Sequence, residues 1–360
     1  MSFSTISSDC VHRPARRYVV AIIAIATAWL AATMAANVLI DPQAVFGSNL
    51  VRVHFNANAR YLAFRDYQAD PDRYDAVLFA SSRGNAFDRT LLAAQLGVRR
   101  VANFSVPFGL LTDHLPTLEF LLRDKAARGG QLAAVVLILD ADFFGKQPWT
   151  NLNIDSFLPP QISGESPFRF WWRYLTAFQY KQWKNDLDAV AGPRPVAGPA
   201  AGVTGAMGVS DVLGSKPSLA GLVPVWPLAP LGKASVPVAE TFLAETDAPE
   251  IRSDLAHQLD LLARFVALCR AHNARLVVAF SPLNRRNVGD AQAPDMERIV
   301  DQVTRVTPVW DFDRPAWLSD RPDLWLDFSH YSTAVATMMT QRIFGTATSA
   351  PADFGRLTGP

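Results

Sequence analysis

Cysteine is almost absent from this chain: of 360 residues only Cys10 and Cys269 carry a thiol. Cys10 precedes a long apolar run and Cys269 falls inside a helix-like pattern, so they would lie on opposite sides of a membrane. That excludes a disulfide framework, and their spacing suits no metal site. An excess of charge is missing as well. Lys and Arg number 34 against 33 Asp and Glu, a formal balance of +1. The basic residues are scattered, so nothing recommends nucleic acid as a partner. There is no internal repeat. Histidine is scarce, and His54, His257 and His272 read as surface residues, the last two without an acidic partner at useful spacing. Neither a metal nor a cofactor is expected.

Long hydrophobic runs are also few, and the one that stands out is Tyr18–Ile40, without a charged side chain. At about 1.5 Å per residue it measures about 35 Å, enough to cross a hydrocarbon core of about 30 Å. Arg13, Arg16 and Arg17 stand immediately before it. By the positive-inside rule they keep the N-terminus in the cytoplasm and send the remainder outside. The other reading is a cleaved signal peptide, for which Ala31-Ala32-Thr33-Met34-Ala35-Ala36 offers small residues. The length of the run favours an anchor.

Beyond it the chain alternates strand and helix patterns. Tyr74–Ala80, Val101–Phe104, Ala133–Leu139, Leu276–Phe280 and Val309–Phe312 read as strands, and the first carries an apolar run without polar alternation, as a strand covered on both faces requires. Helices are predicted over Leu91–Gly97, from Thr112 to Gly129, over Ile251–Asn273 with Cys269 on its core side, near Met296–Val306, and up to Phe344. The sum is an α/β fold: a five-stranded parallel sheet with helices on both faces, preceded by one transmembrane helix.

The domain boundaries follow. Residues 1–17 are a cytoplasmic N-terminus, 18–40 the anchor and 41–73 a juxtamembrane segment. Residues 74–142 and 251–346 form the α/β domain, and 347–360 a tail. Between them lies an insertion, 143–250. Its first part is aromatic (Trp149, Phe157, Phe168, Phe170, Trp171, Trp172, Tyr174, Phe178, Tyr180, Trp183), suited to packing over the sheet, contact with a membrane interface, or stacking on sugars. Its second part, Ala191–Pro237, is rich in Gly and Pro and reads as an extended loop.

In parallel sheets the working residues sit beyond the carboxyl ends of the strands. The first strand ends in Ser81-Ser82-Arg83-Gly84, a hydroxyl delivered to the surface and followed by a residue that allows a tight exit. Near the far end stands Asp327-Phe328-Ser329-His330. A carboxylate three residues before an imidazole can fix its tautomer, and the imidazole can take the proton of a serine brought close by folding. Asp140 and Asp142, closing the third strand, read equally as contacts of the site or as turn and capping residues.

On these residues the chain resembles the SGNH (GDSL-like) hydrolase superfamily, over roughly two-thirds of its length, Tyr74–Asp142 and Ile251–Phe344. The resemblance implies a flavodoxin-like sheet with Ser82 as nucleophile and Asp327 and His330 as its partners. Arg83, Asn103, Ser105, Gly109, Asp140 and Asp142 then become oxyanion or substrate contacts. Either Ser105 or Gly109 stands where the family places an oxyanion N–H. Where the family usually has Gly-x-Asn, this chain has Leu139-Asp140-Ala141-Asp142, without an asparagine donor. Asp41-Pro42 after the apolar run resembles the entry segment of membrane-anchored bacterial members. The implied function is a single-pass enzyme of the bacterial inner membrane with its catalytic domain in the periplasm. It would O-acetylate an envelope or exported polysaccharide beside a multi-pass membrane acyltransferase. A carbohydrate esterase, and a non-catalytic scaffold binding glycan or an acyltransferase, are the alternatives.

Overall fold

The computed structural model describes residues 9–48, 50–51, 53–54, 57–144, 157–191, 223–224, 250–284, 293–313, 316–327 and 329–359. Most of the predicted Gly/Pro-rich loop, with Trp149 and Phe328, lies outside them. The sheet contains β1 (Ala76–Ala80), β2 (Val101–Ser105), β3 (Ala134–Leu139), β4 (Arg275–Phe280), β5 (Val309–Asp311) and β6 (Arg356–Thr358), in the order β2-β1-β3-β4-β5-β6. The first five run parallel, with Ala80 opposite Ser105, Leu137 opposite both Phe79 and Val278, and Phe280 opposite Asp311. This is a common doubly wound order, and its topological switch point falls between β1 and β3.

The sheet has six strands rather than the expected five. The sixth, β6, pairs antiparallel with β5 at an edge and comes from the stretch read as a tail. Arg-Leu-Thr is too short and too mixed to show strand periodicity. Its place is set by neighbours: Phe354 is fully buried against Phe312, ring centroids 4.9 Å apart. Gly355 turns the chain at φ 82°, where a Cβ would lie 2.1 Å from Phe312 Cε1. Only glycine fits there.

Alternation along β1 sorts the core into two layers. Val77 and Phe79 face one cluster with Leu118, Leu121 and Leu122 of α4 (Leu111–Ala127), Leu262 and Phe265 of α7 (Glu250–Ala271), and Val303 of α8 (Ala293–Thr304). Tyr67 of α2 (Ala59–Ala69) joins this side. Ala76, Leu78 and Ala80 face the other cluster, with Leu92 of α3 (Arg89–Leu96) and Val335 and Met339 of α9 (Thr333–Ile343). Helices therefore cover both faces, which is why β1 and β3 are apolar throughout. Cys269 belongs to the first layer, and burial pushes its thiol up to about 12, so it stays unionised.

Ahead of the sheet, α1 (Asp9–Ile40) contains one stretch, Arg16–Ile40, long and apolar enough to cross a membrane. At its exit the buried Asp41 carboxylate accepts the N–H groups of Val45, Phe46, Gly47 and Ser48 at 2.7–3.1 Å. Burial raises the Asp41 pKa, and those four bonds oppose the rise. The aromatic stretch forms α5 (Pro167–Thr176) and α6 (Tyr180–Ala191), which pack against this exit, with Phe170 and Tyr174 buried beside Val45.

Candidate active site

Ser82 leaves β1 on a short 3-10 turn, Ser82–Ala86, whose N-cap is Ser81. The buried Ser81 hydroxyl accepts the Arg83 N–H at 3.3 Å, so the first of the two serines is spent on the turn and the second is half-exposed above it. Gly84 makes the turn possible. A Cβ there would lie 2.2 Å from Ser105 Oγ and 2.3 Å from Ala80 Cβ.

On the other side of the site a compact turn presents the acid and the base together. Trp325 and Tyr331 form an antiparallel bridge, and the Leu326 N–H donates to His330 O at 2.7 Å. Inside the turn, Asp327 Oδ1 accepts the N–H groups of Ser329 and His330, both at 2.7 Å. Asp is suited to this role because its short side chain bonds the backbone two and three residues on. The second oxygen, Asp327 Oδ2, lies 2.8 Å from His330 Nδ1. An ionised carboxylate only accepts, so Nδ1 carries the hydrogen and Nε2 the lone pair. Nε2 stands 2.8 Å from Ser82 Oγ, across 248 positions of sequence, and accepts its hydroxyl proton. Burial works to raise Asp327, but the hydrogen bond and charge of His330 and the two N–H groups outweigh it. Its carboxyl is held below the ordinary value.

A buried ion pair lies beneath these three residues. Arg83, leaving β1, and Asp140, leaving β3, meet at 2.9 Å across the switch point, each about 95% shielded from solvent. Arg83 also donates from Nε to Ser329 O and from Nη2 to Ser329 Oγ, both at 3.0 Å. It thereby ties the turn carrying the imidazole to the strand that delivers Ser82. Ser281, just past β4, donates its hydroxyl to Asp140, and its N–H goes to Leu139 O at 2.8 Å. Tyr331 is fully buried close by; burial first, and the negative charge of Asp140 second, hold its phenol un-ionised.

The remaining expected contacts fare differently. The Ser105 N–H donates to Asn103 Oδ1 at 2.9 Å, and the Gly109 N–H donates to Val106 O at 2.9 Å. Both backbone donors expected at the oxyanion are engaged internally. Ser105 Oγ is buried under Gly84 without a hydrogen-bond partner, so it faces the turn. Asn103 Nδ2 donates to Asn85 Oδ1 at 3.3 Å, linking β2 to the Ser82 turn. Asp142 sits in the one-turn helix Ala141–Phe144, and its side chain lies outside the described residues. The N–H of Ser82, first in its turn, has no carbonyl behind it within the turn.

Four residues at this edge gave no functional signal in sequence: Ser281, Ser329, Tyr331 and Phe108. Phe108 adopts φ 51° and is 46% exposed, on a turn that wraps the Ala80 carbonyl, which takes the Val106 N–H at 3.0 Å. A bulky residue with left-handed backbone is uncommon. The turn is clamped by Arg60, which donates to Pro107 O at 3.3 Å and pairs with Asp113 at 2.8 Å.

Chemically, the arrangement contains a half-buried hydroxyl, a base oriented to remove its proton, and a carboxylate to stabilise the resulting cation. No protein-family model matches the chain, and no curated protein matches it in sequence.

Proposed function

We propose that the protein is a serine acyltransferase of the SGNH type, anchored by α1 in the bacterial inner membrane, with its catalytic domain in the periplasm. The acyl group is acetyl and the acceptor is a hydroxyl of an envelope or exported polysaccharide. The observation that carries this reading is the unbroken relay Ser82–His330–Asp327, with both links at 2.8 Å, at the carboxyl edge of a parallel sheet. The membrane placement is supported by the length and apolarity of Arg16–Ile40 and by the arginines preceding it.

The chemistry follows from the geometry. Ser82 Oγ attacks the acyl carbonyl as its proton passes to His330 Nε2, and Asp327 stabilises the imidazolium. The Ser82 N–H meets the oxyanion. Collapse breaks the bond to the leaving group, which departs with the proton from His330, and leaves acyl-Ser82. A sugar hydroxyl then attacks the acyl carbonyl as its proton passes to His330, the Ser82 Oγ–acyl bond breaks, and Oγ regains the proton from His330. Water competes at this last step, and a well-held acceptor reaches effective molarities of about 10⁵ M or more, so positioning decides between transfer and hydrolysis. A multi-pass membrane acyltransferase is the partner that would supply acyl groups.

A second reading, a non-catalytic scaffold, is favoured by one observation: the Ser105 and Gly109 N–H groups are already engaged. Turnover of p-nitrophenyl acetate by the purified full-length protein separates the readings. An acyltransferase releases nitrophenol slowly in buffer and faster with the right oligosaccharide, with acetyl appearing on the sugar. Fast hydrolysis that no glycan accelerates makes it an esterase, and no Ser82-dependent turnover makes it a scaffold.

A further inference from the structure

From the way α5 and α6 meet α1, we infer that these two helices form a second membrane contact: an aromatic hairpin seated in the lipid interface around the anchor. The inference rests on the reading that α1 crosses a bilayer. As α5 advances, its partners on the N-terminal segment fall in number. Trp171 meets Phe46 in a tilted ring contact at 5.7 Å, the carbonyls of Leu175 and Ala177 accept from Asn37 Nδ2 at 2.9 Å, and Phe178 meets Trp29 at 5.5 Å. So α5 runs antiparallel to α1 and descends alongside it. Trp183 of α6 donates Nε1 to Asn37 Oδ1 at 2.9 Å, closing the hairpin on the same residue.

Asn37 fixes the depth. It is a fully buried amide whose donors and acceptor are matched by the hairpin, as a polar group entering hydrocarbon must be. A hydrocarbon core of about 30 Å takes about 20 residues. Counted from Tyr18, it ends near Asn37. The hairpin tip at Phe178 then dips into the acyl region. Trp172 stands one to two turns higher, at the headgroup level, and Phe168 one turn above it.

Their exposure agrees with this layering. Phe168 is 73% exposed, Trp172 44% and Phe178 59%, although α5 turns its other aromatic residues into the protein. Phe168 and Trp172 stack on each other at 5.8 Å. Arg169, next to Phe168 in sequence, and Lys181, three residues past Phe178, are both exposed and could meet lipid phosphates. Aromatic residues at headgroup depth with basic neighbours are the composition of an interfacial helix. The occupant is thus the bilayer surface itself, continuous with the lipid around α1. The consequence is that the catalytic domain is held at a set height and tilt instead of swinging on a single helix.

The test uses the full-length protein with Cys10 changed to Ser, reconstituted into vesicles of phosphatidylethanolamine and phosphatidylglycerol. An environment-sensitive fluorophore is placed at Trp172→Cys, Phe178→Cys, Ile25→Cys in α1, or Ala94→Cys on the exposed side of α3. Nitroxide lipids then read depth. Labels at 172 and 178 should be quenched several-fold more than the label at 94, the first best by a headgroup nitroxide and the second by one in the acyl chain. Quenching at 25 with none at 172 and 178 overturns the hairpin contact and leaves the anchor standing, the face then belonging to a protein partner. No quenching at 25 overturns the anchor, and the inference with it.

Discussion

At the scale of single residues, two carboxylates at the site do different work. Asp327 is half-buried and touches the imidazole, whereas Asp140 is buried and pairs with Arg83. Asp327→Asn should slow acylation by about 10³–10⁴, because an amide can hold the wrong tautomer and cannot stabilise imidazolium. Asp140→Asn should act mainly on stability. It removes the carboxylate that pairs with the buried Arg83 guanidinium at 2.9 Å, at a cost of about 3–5 kcal/mol. Burst kinetics with an activated ester and urea midpoints measure the two effects, and a reversed order would assign the catalytic role to Asp140. The first carboxylate was legible in sequence because a turn of three residues closes the Asp327–His330 contact locally. The role of the second was not. Arg83 and Asp140 become neighbours only because β1 lies beside β3, and no local pattern encodes that adjacency. The same holds for Ser281, which reaches Asp140 across 141 positions.

Individual elements show why strands were easier to read than edges. The central strands β1 and β3 are continuous apolar runs, because helices cover them on both faces, and such runs stand out against their flanks. The edge strand β6 contributes three residues, two of them exposed, and is held by Phe354 and Gly355 at one end and by Thr358 at the other, whose hydroxyl donates to Val309 O at 3.2 Å. Nothing in Arg-Leu-Thr announces it. The turn after β1 is the element on which the site depends, and Gly84→Ala tests it. The added methyl meets Ser105 Oγ and Ala80 Cβ well inside contact distance, so the variant should lose about 1–3 kcal/mol, read as a lower denaturant midpoint at unchanged slope. An unchanged midpoint would show that the turn yields freely. The aromatic helices α5 and α6 were visible as a composition, but not their destination. Packing over the sheet was one expectation, and the exit of α1 is where they lie.

For the whole molecule, the described strands of the six-stranded sheet and the relay come from outside Ala191–Pro237, whose Val223 and Pro224 pair instead with Val53 and His54. Replacing that segment with a Gly-Ser linker should leave the reactivity of Ser82 unchanged, and loss of folded protein would show that the core needs it. Acid should weaken the fold through His114, which is fully buried on Phe79 and whose pKa burial pushes down to about 4. Its contribution is complete above the ordinary value of about 6.5. As pH falls from there toward 4 the unfolded chain takes up a proton that the native state refuses, a loss of up to about 3 kcal/mol. Asp327, held low, adds to the loss at still lower pH. His114→Leu should flatten the decline in Tm between pH 6.5 and 4, and an unchanged decline would place its cause elsewhere. The central claim, that folding activates Ser82 through His330, is tested most directly by fluorophosphonate labelling with peptide mapping. Wild type should carry one label, on Ser82. Ser82→Ala should carry none, and Ser81→Ala, which removes only the cap of the turn, should still react. Labelling of Ser82→Ala equal to that of wild type, or no label on the folded wild-type protein, would contradict the account.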